Sequence, residues 1–259
     1  MNVNKTLQTL LLPWMLLIPA LAGASNLSCP GLAKHITDVD LQFSLTHNQI
    51  PGQLAVSHHK LRVAGNHYKL ESVSQAKGLL ALVYSGQLTQ KSEGLLDSRH
   101  GFAPLYYAEQ RGKKPLAEAT IDVKTKQVLF RKNGETAVFE AGLQDRLSMI
   151  YQLSARLQCK ADFQPGDVVP MRVMSTGRVG TETWTFKSAE TMTVDLGQGE
   201  RSLTVWLFES RPEDDKDEVV RIWYAKDLGW KPAKIQIQDA DGKSLTQTLI
   251  GSGKSAVQG

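Results

Sequence analysis

Most of the signatures that announce an enzyme are missing from this chain. There is no G-x-S-x-G elbow to present a nucleophilic serine, and no Ser or Asp is paired with a His by spacing. No H-x-x-x-H or H-E-x-x-H step sets two imidazoles on one helix face for zinc. Gly177-Arg178-Val179-Gly180 lacks the Gly-Lys-Ser/Thr ending of a phosphate-cradling loop, and it opens a strand rather than a helix. No dense Lys/Arg stripe with interleaved aromatics is present, which argues against nucleic acid as a partner. The net charge is a mild +4, which fits attraction to anionic envelope polymers or lipid headgroups.

Long apolar runs are also missing. A membrane-spanning helix needs roughly 20 unbroken apolar residues. Leu10 to Ala22 is shorter and holds Pro13 and Pro19. This run follows a polar start with one charge, Lys5, and ends in Ala22-Gly23-Ala24, small residues at the alternate positions a signal peptidase reads. Residues 1–24 are therefore expected to be a signal peptide cut before Ser25, leaving a periplasmic chain without a span. Asn26 occupies the place, three before Cys29, where lipidation motifs carry an aliphatic residue, so a soluble protein is expected over a lipid-anchored one. Cysteine is scarce too. Only Cys29 and Cys159 occur, and in an oxidising compartment an even count suggests a disulfide, with two free buried thiols as the alternative.

What is present reads as strand after strand. Ala119, Ile121 and Val123 alternate with Thr120, Asp122 and Lys124, and Ile235 and Ile237 alternate with Lys234, Gln236 and Gln238. Period two with polar partners means half-buried antiparallel strands. Asn133-Gly134 and Asp241-Gly242 sit between such runs and suit type I′ turns. Leu203–Phe208 and Val219–Tyr224 are apolar on both faces, as strands covered on both sides would be. The charged stretch Arg211–Glu218 between them is expected to be a solvated hairpin tip. One helix is expected: Leu143, Leu147, Ile150, Tyr151, Ser154 and Leu157 recur at steps of three and four, with Asp145 as N-cap. No Pro/Gly/Ser-rich linker divides the chain. The expected architecture is mainly β: a large curved antiparallel sheet, or open barrel-like meander, with one amphipathic α-helix packed on it. It fills residues 25–250 as a single domain, with a flexible tail over 251–259.

Two stretches resemble a known family. Gln144-Asp145-Arg146-Leu147-Ser148-Met149-Ile150-Tyr151-Gln152-Leu153 is similar to the QD-x-LS-x-x-Y-x-L helix start of the DUF3108 family, with Arg146 where Pro is more usual. Arg221 to Ile235 and the Asp241-Gly242 turn follow in the family's order. The resemblance spans roughly His67 to Ile250. It implies an exported, β-rich protein of Gram-negative bacteria and carries no catalytic residues.

Candidate site residues are few. His58-His59, with His47 and His67 on flanking segments, would approach one another only if their strands form a meander, and a doublet sends its two rings to opposite faces. No metal site is expected from them. Glu182 and Glu190 are carboxylates on a strand and nothing more specific. Trp184, Phe186, Trp206 and Trp223, with Trp230, fall on the later strands; they either build the core or line a groove for an acyl chain or sugar. These readings lead to a non-enzymatic periplasmic protein, without cofactor, that binds a hydrophobic or amphipathic envelope molecule such as a lipid or glycolipid. The alternative is a structural or protein-interaction module in envelope biogenesis. A hydrolase whose site is invisible in the sequence ranks third.

Overall fold

A computed structural model describes residues 29–77, 87–197, 199–211 and 218–252. The expected signal segment, most of the charged run after Arg211 and the tail beyond Ser252 lie outside the described residues.

The first half of the chain is a meander in which each strand is antiparallel to the next: β1 (Val39–His47), β2 (Ile50–Ala64), β3 (His67–Ala76), β4 (Gln87–Asp97), β5 (Gly101–Arg111), β6 (Ala117–Asp122), β7 (Gln127–Phe130) and β8 (Thr136–Val138). A two-residue strand, β9 (Gln144–Asp145), leads into the helix α1 (Ser148–Cys159). A second antiparallel meander follows: β10 (Val168–Met174), β11 (Val179–Asp195), β12 (Glu200–Arg211), β13 (Val219–Ala225), β14 (Lys231–Gln238) and β15 (Ser244–Ser252). β15 pairs with β1, so both meanders join in one sheet. The sheet departs from the expected pattern at one place, because β9 pairs parallel to β10. Strands that pair in parallel need a crossover, and α1 is that crossover.

The sheet curls until its ends nearly meet. β9 stands at one edge of the sheet, yet it packs against β5, near the other. No ladder joins the two among the described residues, so the barrel stays open. β6, β7 and β8 extend beyond this seam. The helix sits inside the curl, touching β5, β9 and β14, and nine of its twelve residues are buried. The single helix packs on the curved sheet as expected, and the curl covers most of it, so Gln152 and Ser154 are buried along with Leu153 and Leu157.

Patterns of two explain the strands. In β1, Leu41, Phe43 and Leu45 point inward and alternate with half-exposed Gln42 and Ser44. β12 and β13 are covered on both faces, as their unbroken apolar runs require. Phe208, Ile222 and Tyr224 join the main core around α1, while Leu203, Val205, Trp223 and Ala225 join a smaller cluster on the opposite face.

The turns differ from the type I′ expectation. At both positions only the glycine has positive φ, Gly134 at 72° and Gly242 at 79°. Gly242 N–H donates to Asp239 O at 3.0 Å and Asp239 N–H to Lys243 O at 2.9 Å, the pattern of a type I turn closed by a left-handed glycine. Around Asn133 the loop is one residue longer, with Gly134 N–H donating to Phe130 O at 2.9 Å. Val123 is also not a strand residue. β6 ends at Asp122, whose carboxylate accepts from Lys124 N and Thr125 N at 2.8 and 3.2 Å, and this turn leaves Val123 53% exposed. At the C-terminus, Gly251 and Ser252 pair with Gln42 and Leu41, so β15 runs two residues into the expected tail.

Cys29 and Cys159 form a disulfide, with Cα atoms 6.2 Å apart, tying the segment before β1 to the last residue of α1. The bridge closes a separation of 130 residues. Replacing both cysteines by serine is expected to cost ~2–4 kcal/mol of stability, read as a lower urea midpoint with an unchanged native near-UV spectrum.

Candidate functional site

The helix is fastened by side chains of its own leading segment. Asp145 Oδ1 accepts from the backbone amides of Leu147 and Ser148 at 2.8 and 2.7 Å, and Ser148 Oγ accepts from Asp145 N at 2.9 Å. This reciprocal pair satisfies donors that a helix start would otherwise leave orphaned. Asp145 Oδ2 accepts from Ser92 Oγ, which is bonded to the Tyr68 hydroxyl at 2.9 Å. Gln144 Nε2 donates to Phe102 O at 2.8 Å, and Gln152 takes Phe102 N and His100 O at 3.0 and 2.6 Å. The Gln144 bond crosses the seam between β9 and β5, the Gln152 bonds tie α1 to the start of β5, and the Ser92 bond ties β9 to β4. On the far side, the Tyr224 hydroxyl donates to Ile150 O and Ser154 Oγ to Trp230 O, each at 2.7 Å. The QD-x-LS motif is thus a latch that seats α1 and draws the curl together.

Burial sets the electrostatics of this interior. It raises the Asp145 carboxyl to about 6, against the pull of its hydrogen bonds from Ser92, Ser148 and Leu147. It lowers the His59 imidazole to about 4. His59 Nδ1 is 2.9 Å from the Tyr151 hydroxyl, and its ring packs on Phe43 with centroids 4.8 Å apart. Gln247 lies near enough to oppose the fall in the His59 pKa, yet His59 Nε2 and Gln247 Oε1 are out of hydrogen-bond geometry and have no partner. Burial also pushes the Tyr68, Tyr107, Tyr151 and Tyr224 hydroxyls up, so all stay neutral donors.

A cavity of about 230 Å³ opens at one mouth of the curl. Val39, Leu61, Phe102 and Ile36 form an apolar floor, with Tyr151 and Ser154 of α1 beside it. The rim is polar, carrying His35, Thr37, Gln158, Lys231 and the backbone of Gly229. The Cys29–Cys159 bridge holds the two walls that carry His35 and Gln158. A second cavity, about 260 Å³, lies on the outer face between Gln42, Val56, His58, Gln75, Ala76 and Lys77.

The sequence candidates fall elsewhere. Trp184 and Phe186 are 1% and 2% exposed within the main core, where Phe186 stacks between Trp206 and Phe208 at centroid distances of 4.7 and 5.3 Å. Trp230 packs on Trp206. Trp223 points to the other face, where its Nε1 donates to Glu190 Oε1 and Lys234 lies 4.4 Å above its ring. None of these aromatics lines either cavity. Glu182 faces the interior, and burial raises its carboxyl despite Arg146, Ser210 and Arg178. Glu190 lies on the opposite face of the same strand, so the two do not converge. The histidines do form part of a meander, but His47 ends β1 at the turn into β2 and His67 begins β3 at the opposite end of β2. His59 is buried and His58 exposed, as a doublet on a strand requires.

Two features escaped the sequence reading. The mouth cavity draws on five separated segments, and Thr37, Ser154, Gln158 and Lys231 share no local pattern. Among the described residues, one group of potential metal ligands also emerges: Cys29, His35 and Cys159, whose ligand atoms lie within 4.8 Å of one another.

A large sheet curled around a single buried helix, latched by a Gln-Asp pair and nearly closed, is a barrel-like β architecture. The chain belongs to the DUF3108 family, described as a protein of unknown function, whose profile matches residues 44–250. Among solved structures it is similar to a β-barrel-like protein of the domain of unknown function DUF1849 from Brucella abortus. That likeness has a TM-score of 0.51 and 10% identity, and covers 83% of this chain and 97% of that one. At this identity it speaks for the fold alone. No curated protein matches the chain.

Proposed function

We propose that this is a non-enzymatic periplasmic protein that binds a hydrophobic or amphipathic envelope molecule, a lipid or glycolipid, at the mouth of its curled sheet. The observation that carries the reading is the mouth cavity, with its apolar floor of Val39, Leu61 and Phe102 beneath a polar rim. A site of this make-up suits a molecule with one greasy and one polar end. Lys231 and His35 on the rim suit an anionic head. At about 230 Å³ the cavity is below the ~300–1,000 Å³ usual for ligand pockets, so it would take a headgroup or chain end rather than a whole lipid. The helical latch supports the non-enzymatic reading, because the buried side chains of Asp145, Ser92 and Gln152 and the Gln144 amide N–H are occupied in holding the fold. Native mass spectrometry of protein purified from envelope extracts is expected to show an acyl-bearing adduct whose occupancy falls at least fivefold with Lys231→Glu. Adduct-free protein from such extracts, or occupancy that ignores Lys231→Glu, would set the reading aside.

One observation favours the second reading, an interaction module of envelope assembly. Leu116, Val123, Leu129 and Val138 are 41–67% exposed, and all lie on the β6–β8 extension beyond the seam. β8 stands at the edge of the sheet, where a partner could add a strand, although its three residues leave little ladder to extend. Val138→Lys and Leu129→Lys would abolish capture of such a partner and leave the adduct untouched.

A further inference from the structure

We propose that Cys29, His35 and Cys159 become, once their disulfide is reduced, a two-thiolate, one-imidazole site for a soft or borderline metal ion, with Zn(II) as its test ion. The three ligand atoms already lie within 4.8 Å of one another. Zinc bonds of ~2.3 Å to sulfur and ~2.0–2.1 Å to nitrogen place two tetrahedral sulfurs about 3.8 Å apart and a sulfur and a nitrogen about 3.6 Å apart, so after reduction the two sulfurs would part by side-chain rotation while the imidazole closes in. The walls that carry them do not depend on the bridge alone. The 3₁₀ turn Leu32–His35 is anchored by Leu32, 2% exposed, whose N–H donates to Ser98 O at 3.1 Å. The end of α1 is held by the Gln152 and Ser154 bonds. The site also has an opening: His35 and its neighbour on the helix, Gln158, line the mouth cavity, so a fourth position would face water or a small donor there. Thiolate and imidazole donors select zinc or cuprous copper over magnesium or calcium.

The chemistry balances simply. A dithiol reductant gives the bridge two electrons and two protons, leaving Cys29 and Cys159 as thiols and the reductant as its own disulfide. Metal binding then releases both thiol protons. Disulfide and metal are therefore mutually exclusive occupants of one place, whatever the mouth cavity binds.

The test uses the whole mature chain, reduced under anaerobic conditions and titrated with Co(II), then Zn(II). One equivalent is expected, with a thiolate-to-cobalt charge-transfer band, and none in the oxidised chain. His35→Ala is expected to weaken zinc at least tenfold. Equal affinity with and without His35, or no stoichiometric binding by the reduced chain, would overturn the proposal. Near-UV circular dichroism of the reduced, zinc-loaded chain supplies the second reading: the native tryptophan signal is expected to persist, and its loss in the presence of zinc would count equally against the site.

Discussion

Asp145→Ala is expected to lower stability by about 4–6 kcal/mol, with Asp145→Asn costing only about 1 at neutral pH. The alanine leaves the amides of Leu147 and Ser148 and the hydroxyl of Ser92 without their acceptor in a buried interior, and each buried unsatisfied group costs roughly 1–3 kcal/mol. Asparagine keeps an oxygen for the two amides and offers an N–H toward Ser92, which can turn its own hydrogen to Tyr68. The pH dependence separates the charge from the geometry. The carboxyl of Asp145 is raised from 3.8 to about 6, so the folded chain holds this proton more tightly than the unfolded one. The stability it adds is full below about 4 and is lost as pH rises through about 6. His59 works the other way: its pKa is lowered from 6.5 to about 4, so its contribution is full above 6.5 and is lost as pH falls through about 4. Each is worth ~3 kcal/mol across its window at about 1.4 kcal/mol per pH unit. The two nearly cancel between pH 4 and 6.5, and the wild-type profile is expected to be close to flat there. Asp145→Asn should unmask the histidine and lose stability toward acid; His59→Gln should unmask the carboxylate and gain it. Urea unfolding at half-unit pH steps reads both slopes, and an Asp145→Asn profile parallel to the wild type would refute the assignment.

The opposition of these two groups was not legible in the sequence, and the reason is physical. Asp145 was expected as the N-cap, but the helix begins at Ser148 with Leu147 as its N-cap, and Asp145 stays in β9; its part in fastening the helix start is legible because those bonds are local, to amides two and three residues away. That the same carboxylate also receives Ser92, 53 residues earlier, depends on how far the sheet curls, which no local pattern encodes. His59 alternates correctly with His58, so its inward direction follows from period two. Its burial against Tyr151 follows only from the helix lying inside the sheet. The strands, the hairpins and the existence of one helix were readable for the same reason that Asp145 was. The turn types were not, because Asn-Gly and Asp-Gly serve both the mirror-image turn and the type I turn closed by glycine, and strand twist and loop length decide between them. The aromatic residues are the clearest limit. Trp184 and Trp223 look alike in the sequence, yet they face opposite sides of the sheet, one into the helix-filled core and the other onto Glu190 and Lys234.

A single methyl group at Gly94 is expected to be as damaging as removing the latch. Gly94 sits at the bulge where the register of β4 against β5 shifts, opposite Pro104, which has no N–H to give the ladder. A Cβ there would run into the carbonyl oxygen of Ala103 and the backbone of Pro104 and Leu105. Backbone cannot swing aside as a side-chain tip can, so β5 itself would have to move. β5 carries Phe102, whose N–H and C=O are the points to which Gln152 and Gln144 fasten α1 and the seam. The strain therefore propagates into the closure of the curl rather than staying in one hairpin. Gly94→Ala is expected to cost more than ~4 kcal/mol, the range reserved for changes that break a core or its backbone, and to flatten the near-UV spectrum of the buried aromatics. Gly180 on β11 supplies the control, since a Cβ there meets nothing within 4 Å and its φ is ordinary. Gly180→Ala should stay within about 0.5 kcal/mol of the wild type. If the two alanine variants unfolded at the same urea concentration, the close approach of β4 and β5 would not be what seats Phe102, and the account of how the latch is held would have to be rebuilt from the helix outward.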